Sequence, residues 1–205
     1  MTIGVKVCGL TRVEDVALAD SLGAQFVGFN FSSGSPRRVD PGRARELASA
    51  AGNARRVGIF VGESPEEIRR AIDAAGLDLI QVHRDVAAGD FEHGVPVVAV
   101  CRVFGGAARW PDEPLLARSL AILFDTGDPE RHGGTGRPFD WRMIEGRAIP
   151  VPVWLAGGLT AANVGEAIRR VRPAVVDVAS GVESSPGVKD AGRLREFFEA
   201  VADAA

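Results

Sequence analysis

The chain of 205 residues is poor in several features whose scarcity narrows what it can do. It has two cysteines, Cys8 and Cys101, which share no disulfide or metal spacing, so a reducing cytoplasm is the expected compartment. Of its three histidines, His93 and His132 fall in polar loops too scattered to suggest a metal site. No run approaches the roughly 18 consecutive apolar residues of a spanning helix. The opening "MTIGVKVCG" enters a strand directly, without the charged region, apolar core and cleavage site of a secretory signal. Basic residues are not in excess, 24 Lys+Arg against 27 Asp+Glu for a net charge of -3, which leaves no footprint for nucleic acid or an anionic membrane. No Pro/Ser linker or low-complexity stretch marks a boundary, so one domain over residues 1–205 is expected.

What the chain does have is an alternation. Short β-branched runs recur at "VKVCG" (5–9), "QFVGFNF" (25–31), "RRVGIFV" (55–61), "LDLIQVH" (77–83), "VPVVAVCRV" (95–103), "AILFDT" (121–126), "VPVWLAGG" (151–158) and "AVVDVAS" (174–180). Most are nearly continuous in apolar residues, the pattern of parallel strands covered on both faces. Ala-, Glu- and Arg-rich stretches with helix-start signals separate them. Thr11 with Glu14 and Ser64 with Glu67 fit capping boxes, and Pro65 suits a first helical position. Asp40, Thr160 and Asp190 are further N-cap candidates, while Gly23 and Gly76 sit where helices would end.

Eight strands, intervening segments and a final helix, "DAGRLREFFEA", predict an α/β fold of the (β/α)8 TIM-barrel type. The fourth and fifth connections, "RDVAAGDFEHG" and "FGGAARWPDEPLLARSL", are the weakest helices. A doubly wound open sheet is the rival. It would usually place a G-x-G-x-x-G turn after its first strand, where this chain has Cys-Gly-Leu-Thr.

In a barrel, function belongs at the C-terminal ends of the strands. Those ends carry Cys8, Asn30, His83, Arg102, Asp125, Gly157-Gly158 and Ser180-Gly181. The small residues after strands seven and eight suit phosphate binding, because backbone N–H groups can approach an anion closely there. Cys8 and Asp125, at the ends of well-separated strands, make a candidate base and acid for moving a proton between carbon and oxygen. Lys6 shares a face with Cys8. If it points into the barrel, its charge favours the thiolate, and Asp177 on the neighbouring eighth strand is its candidate partner. The loop "NFSSGSPRRVDP" offers Arg37 for a two-pronged grip on a carboxylate. The glycine-rich "TGDPERHGGTGRPFDW" after Asp125 is expected to act as a lid. His83, taken alone, reads as structural, and Cys101 as a small core residue.

These stretches together resemble the phosphoribosylanthranilate isomerase family of tryptophan biosynthesis. The likeness runs through "KVCGLTRVEDV", "VGFNFSSGSPRRV", "IQVH", "FDT", "GGTGRPFDW", "WLAGGLTAANV" and "VDVASGVESSPGVKD". It implies an Amadori rearrangement of N-(5-phosphoribosyl)anthranilate, with Asp125 as general acid and Cys8 as general base. Arg37 would hold the anthranilate carboxylate, and His83 and Asp177 would contact substrate. Gly157, Gly158, Ser180 and Gly181 would hold the phosphate. The resemblance implies a small-molecule phosphosugar as partner and no cofactor or metal; a monomer and a homodimer both stay open. Two departures stand out: Arg84 where the family usually has glycine, and Asn30 where an aliphatic residue is common. The alternatives are the histidine-pathway sugar isomerase, which has an aspartate at the position of Cys8, and a non-catalytic phosphate-binding barrel.

Overall fold

A computed structural model describes residues 2–104, 106–126 and 138–205. Eight parallel strands form the barrel: β1 (Gly4–Cys8), β2 (Phe26–Asn30), β3 (Arg55–Phe60), β4 (Leu79–Val82), β5 (Val97–Phe104), β6 (Ala121–Thr126), β7 (Val153–Leu155) and β8 (Val175–Val178). Each pairs with its sequence neighbours, and β8 returns to β1, so the sheet closes on itself. The chain is a (β/α)8 barrel, as the alternation predicts.

Alternate residues of each strand divide two cores. Phe26, Val57, Leu79, Val98, Leu123, Trp154 and Val175 fill the barrel interior. Residues between them, such as Val5, Val27, Ile80, Ile122 and Val176, face the helices in a second, larger cluster. The Phe26 and Trp154 rings meet at 4.6 Å, and the Arg55 guanidinium lies 5.7 Å over Phe26, closing the barrel floor. The interior is therefore packed at its base, and Gln81, Asp125 and Asp177 lie towards the opposite end.

Helices α1 (Val13–Ser21), α2 (Pro41–Ala48), α3 (Pro65–Ala75), α4 (Glu113–Arg118), α5 (Ala161–Val171) and α6 (Ala191–Ala204) surround the sheet. Most start signals are used as read. Ser64 and Glu67 form a capping box, and the Asp40 and Asp190 carboxylates accept from the N–H groups of Arg43 and Arg193. Thr160 sits at the N-cap of α5, and its N–H donates to Asn163 Oδ1. Gly23 and Gly76 both take positive φ where helices end. The Thr11–Glu14 box does not form. The N-cap is Arg12, which pairs with Glu14, while the Thr11 hydroxyl donates to the Gly187 carbonyl at 2.6 Å.

The two weakest helices also differ from expectation. The fourth connection holds only a 3-10 turn, Ala88–Glu92, and the fifth first extends β5 into a hairpin with Ala107–Arg109 before the short α4. Trp110 meets Phe124 there in a T-shaped arrangement, with ring centroids 5.3 Å apart.

Because the Phe26–Trp154 contact closes the floor, Phe26→Ala should leave a cavity and cost about 3–5 kcal/mol of stability. Urea unfolding of the variant against the parent checks this.

Candidate active site

Period-2 alternation carries the interior face of each strand upward from the apolar floor to the C-terminal mouth. On β1 that face presents Lys6 and then Cys8, and on β8 it presents Asp177. Lys6 and Asp177 are register partners, and Lys6 Nζ donates to Asp177 Oδ2 at 2.8 Å with the lysine 0% and the aspartate 6% exposed. The predicted pairing is present, and both side chains lie inside the barrel.

One pocket at the mouth is lined by Cys8, Arg37, His83, Asp125 and Asp177, together with the turns Gly157-Gly158 and Ser180-Gly181. Every residue given a catalytic, substrate-binding or phosphate-binding role from the sequence thus lines a single cavity. The proposed lid falls largely on residues 127–137, which lie outside the described residues, as does His132.

Asp125 ends β6 beside Arg102 of β5 in the ladder. Burial, reinforced by the charge of Asp177, pushes its carboxyl up to about 7, so near neutrality a large share stays protonated. Cys8 is also pushed up by burial. Lys6 pulls the thiol down as expected, but desolvation outweighs it. His83 is driven to about 3 by burial and by the charges of Lys6 and Arg102, which leaves a neutral imidazole. Its Nε2 lies 2.7 Å from Gln81 Nε2; with the amide so oriented, Gln81 donates and the ring proton belongs on Nδ1.

The loops after β7 and β8 meet backbone to backbone. A Cβ at Gly181 would lie 1.9 Å from the Leu159 carbonyl oxygen, and one at Gly157 would lie 2.3 Å from Thr126 Oγ1. Gly157 also has φ +87°, so only glycine fits that turn without strain. Asn163 braces the same loop, its Nδ2 donating to the Gly158 carbonyl at 2.9 Å. With α5 starting at Ala161, its N-terminal partial charge lies next to these small residues.

Arg37 reaches the pocket, but its Nε and Nη2 already donate to Glu183 Oε1 and Oε2 at 2.8 and 2.6 Å. Nη1 is the guanidinium nitrogen outside this fork. The two departures find local answers. Arg84 does not occupy a left-handed conformation; its guanidinium forks onto Asp90 at 2.8 and 2.6 Å. Asn30 Oδ1 accepts from the Ser32 N–H at 2.9 Å.

Sequence reasoning gave no role to Gln81, Arg102, Glu183 or Lys189. Arg102 lines the pocket and donates to the His83 carbonyl, and its place on the interior face of β5 was the available signal. Buried Gln81 Oε1, Thr126 Oγ1 and Asp177 Oδ1 have no hydrogen-bond partner among the described residues, and all three residues line this pocket. Unsatisfied polar atoms clustered at one cavity are what a polar ligand would complete.

A closed barrel with an acid, a thiol and tight glycine turns gathered at its C-terminal mouth defines a (β/α)8-barrel protein built for chemistry on a small polar molecule. The family described as N-(5'-phosphoribosyl)anthranilate (PRA) isomerase matches residues 5–200. An N-(5'-phosphoribosyl)anthranilate isomerase from Pelobacter propionicus is 43% identical over 200 residues, 96% of this chain and 94% of that protein. The crystal structure of phosphoribosyl anthranilate isomerase from Thermus thermophilus is similar at a TM-score of 0.84 and 34% identity, covering 99% of this chain and 100% of that one. Another, in complex with reduced 1-(o-carboxyphenylamino)-1-deoxyribulose 5-phosphate, is similar at a TM-score of 0.78 and 31% identity, covering 98% and 99%. The chain belongs to the N-(5'-phosphoribosyl)anthranilate isomerase family.

The raised Asp125 has a consequence for stability. Its carboxyl titrates at 3.8 as a free group and at about 7 in the fold, so as pH rises through this window the unfolded chain ionises first and folding stability falls. Asp125→Asn cannot ionise. Relative to the parent, it should gain stability between about pH 4 and about pH 8; paired urea titrations at the two pH values measure the change, and a constant gap would contradict it.

Proposed function

We propose that this chain converts N-(5'-phosphoribosyl)anthranilate, an aminoaldose, into 1-(2-carboxyphenylamino)-1-deoxyribulose 5-phosphate, an aminoketose, with Asp125 as general acid and Cys8 as general base. The observation that carries the roles is the protonated share of Asp125 near neutrality in the pocket that Cys8 also lines. A carboxyl titrating near the working pH both holds a proton and releases it readily.

In this mechanism Asp125 protonates the ring oxygen of the ribose as the C1–O bond breaks, and the nitrogen lone pair forms the C1=N Schiff base. The Cys8 thiolate then removes the proton on C2. The C2–H electrons form C1=C2, and the C=N electrons return to nitrogen to give an enolamine. Tautomerisation places a proton on C1 and removes one from the C2 hydroxyl, leaving the ketone. The sequence is redox-neutral, with hydrogen moved from C2 to C1 and no external oxidant or reductant required.

The phosphate sits at Gly157, Gly158, Ser180 and Gly181, where close backbone approach and the start of α5 favour an anion. Going round the barrel, β3 and β4 lie opposite that grip, so the anthranilate ring extends towards Ile59, Val61 and His83. Arg37 then offers Nη1 to its carboxylate. Asp177 contributes its unpaired Oδ1 to the sugar while its other oxygen holds Lys6. Acting on a soluble phosphosugar, the protein would work in the cytoplasm, as a monomer or homodimer, without nucleic acid or membrane.

An isomerase assay with phosphoribosylanthranilate tests this reading. The parent should turn over, and Cys8→Ala and Asp125→Asn should each lower kcat by about 10²–10⁴-fold. No parental turnover rejects the activity, and full turnover by both variants rejects the roles. The histidine-pathway substrate, measured alongside, should not be converted.

A further inference from the structure

Above the barrel mouth a short antiparallel ribbon, Glu183–Ser185 with Val188–Lys189, sets Glu183 opposite Lys189 in register. Both are charged and almost fully buried, 7% and 5% exposed. Lys189 uses all three of its N–H donors: at 2.7 Å to the Cys8 carbonyl, at 3.2 Å to the Ala179 carbonyl and at 2.8 Å to Glu183 Oε1. Glu183 in turn accepts from Arg37 through both oxygens and from the Gly187 N–H at 3.2 Å. The pair therefore touches the end of β1, the residue before Ser180 and the guanidinium of Arg37 at once.

We propose that Glu183 and Lys189 are positioning residues for the reaction: one buried ion pair holds the backbone of Cys8, the approach to Ser180-Gly181 and Arg37 as a single unit. The assignment rests on the roles proposed above for Cys8, Arg37 and the glycine turns. Stability alone does not account for the arrangement, since two apolar side chains of similar volume often serve a buried site as well as an ion pair does. An apolar pair, however, would leave the Cys8 and Ala179 carbonyls unheld and the Arg37 fork without its acceptor. A displacement of about 1 Å at a reacting group is enough to cost about 10²-fold in rate.

Other charged or titratable groups around the thiol are Lys6 on β1, Arg37 after β2, His83 after β4, Arg102 on β5, Asp125 on β6 and Asp177 on β8. Against that background, removing one member of the pair changes the charge near Cys8 in opposite directions for the two members. This separates positioning at the thiol from general support of the fold.

The test measures the pH dependence of Cys8 alkylation by iodoacetamide in the parent, Lys189→Met and Glu183→Gln, read by peptide mass mapping so that Cys101 is scored separately. Values of kcat and KM are taken on the same samples. Lys189→Met should move the alkylation midpoint up and Glu183→Gln should move it down, each by about one pH unit. Both should lower kcat/KM by about 10–100-fold, with Glu183→Gln also raising KM through the loosened Arg37. If Lys189→Met does not fold, Glu183→Gln, which keeps an acceptor oxygen, decides alone. Unmoved midpoints with kcat/KM within about threefold of the parent, or a loss of thermal stability without either change, would overturn the proposal. A parent inactive on phosphoribosylanthranilate but with oppositely shifted alkylation midpoints would sink the function and leave the positioning of Cys8 standing.

Discussion

The contact between Lys6 and Asp177 is the constraint on which the mouth of this barrel is built. A lysine with no exposed surface is tolerable only when a carboxylate meets it, because removing either partner strands a charge in a desolvated interior. The contact joins β1 to β8, the seam where the sheet closes. A one-residue slip would turn every side chain of β1 to the other face and expel the lysine into the helix-facing core. Register at the seam is thereby tied to an electrostatic condition as well as to packing. Cys8, two residues on, inherits its inward direction from that register.

Burial at the mouth has different consequences for the two groups that would exchange protons. It raises the Asp125 carboxyl to about 7, where a proton donor is useful. It raises the Cys8 thiol as well, which works against a base. Much the same neighbours act on both: Lys6 opposes burial at each group, joined by Arg102 at Asp125 and by a smaller contribution from Lys189 at Cys8. Asp177 raises both groups, so its value to the thiol comes through the lysine it retains. Neutral His83 fits the same surroundings: an imidazolium cation there would face Lys6 and Arg102.

How much of this was legible in the sequence depended on how local the determining contact is. Continuous apolar strands and their period-2 faces revealed the barrel and which residues point into it. Cys8 and Asp125 could therefore be gathered at the mouth from the strands alone, whereas the substrate contacts of His83 and Asp177 came with the family resemblance, and Ser64–Glu67 needed only three residues of context. Thr11 illustrates the opposite case, since its hydroxyl is taken by a carbonyl 176 positions away, beyond any local capping rule. The Arg37 guanidinium is engaged by Glu183 across 146 positions, so the loop sequence revealed an arginine near the mouth but not the carboxylate already on it. Arg84 stands where the family usually has glycine, and its guanidinium is met by the aspartate six residues later. Lys189 immediately precedes Asp190, the N-cap of the last helix. Nothing short-range shows that it folds back over the end of the first strand.

The cations around the pocket fall into two groups. Lys6 and Lys189 are almost fully buried, and each is already paired with a protein carboxylate. Arg37, with Nη1 left outside its fork on Glu183, and Arg102 line the pocket, where an anionic substrate can meet them. This division matters for the thiol. An arriving carboxylate compensates Arg37 and removes much of whatever help that arginine gives to a thiolate. Lys6 and Lys189 are committed to internal partners and stay in place through the change. A base that depended on Arg37 would lose strength as its substrate bound. One supported from beneath by Lys6, and along its own backbone by Lys189, keeps that support in the state where a proton has to be removed.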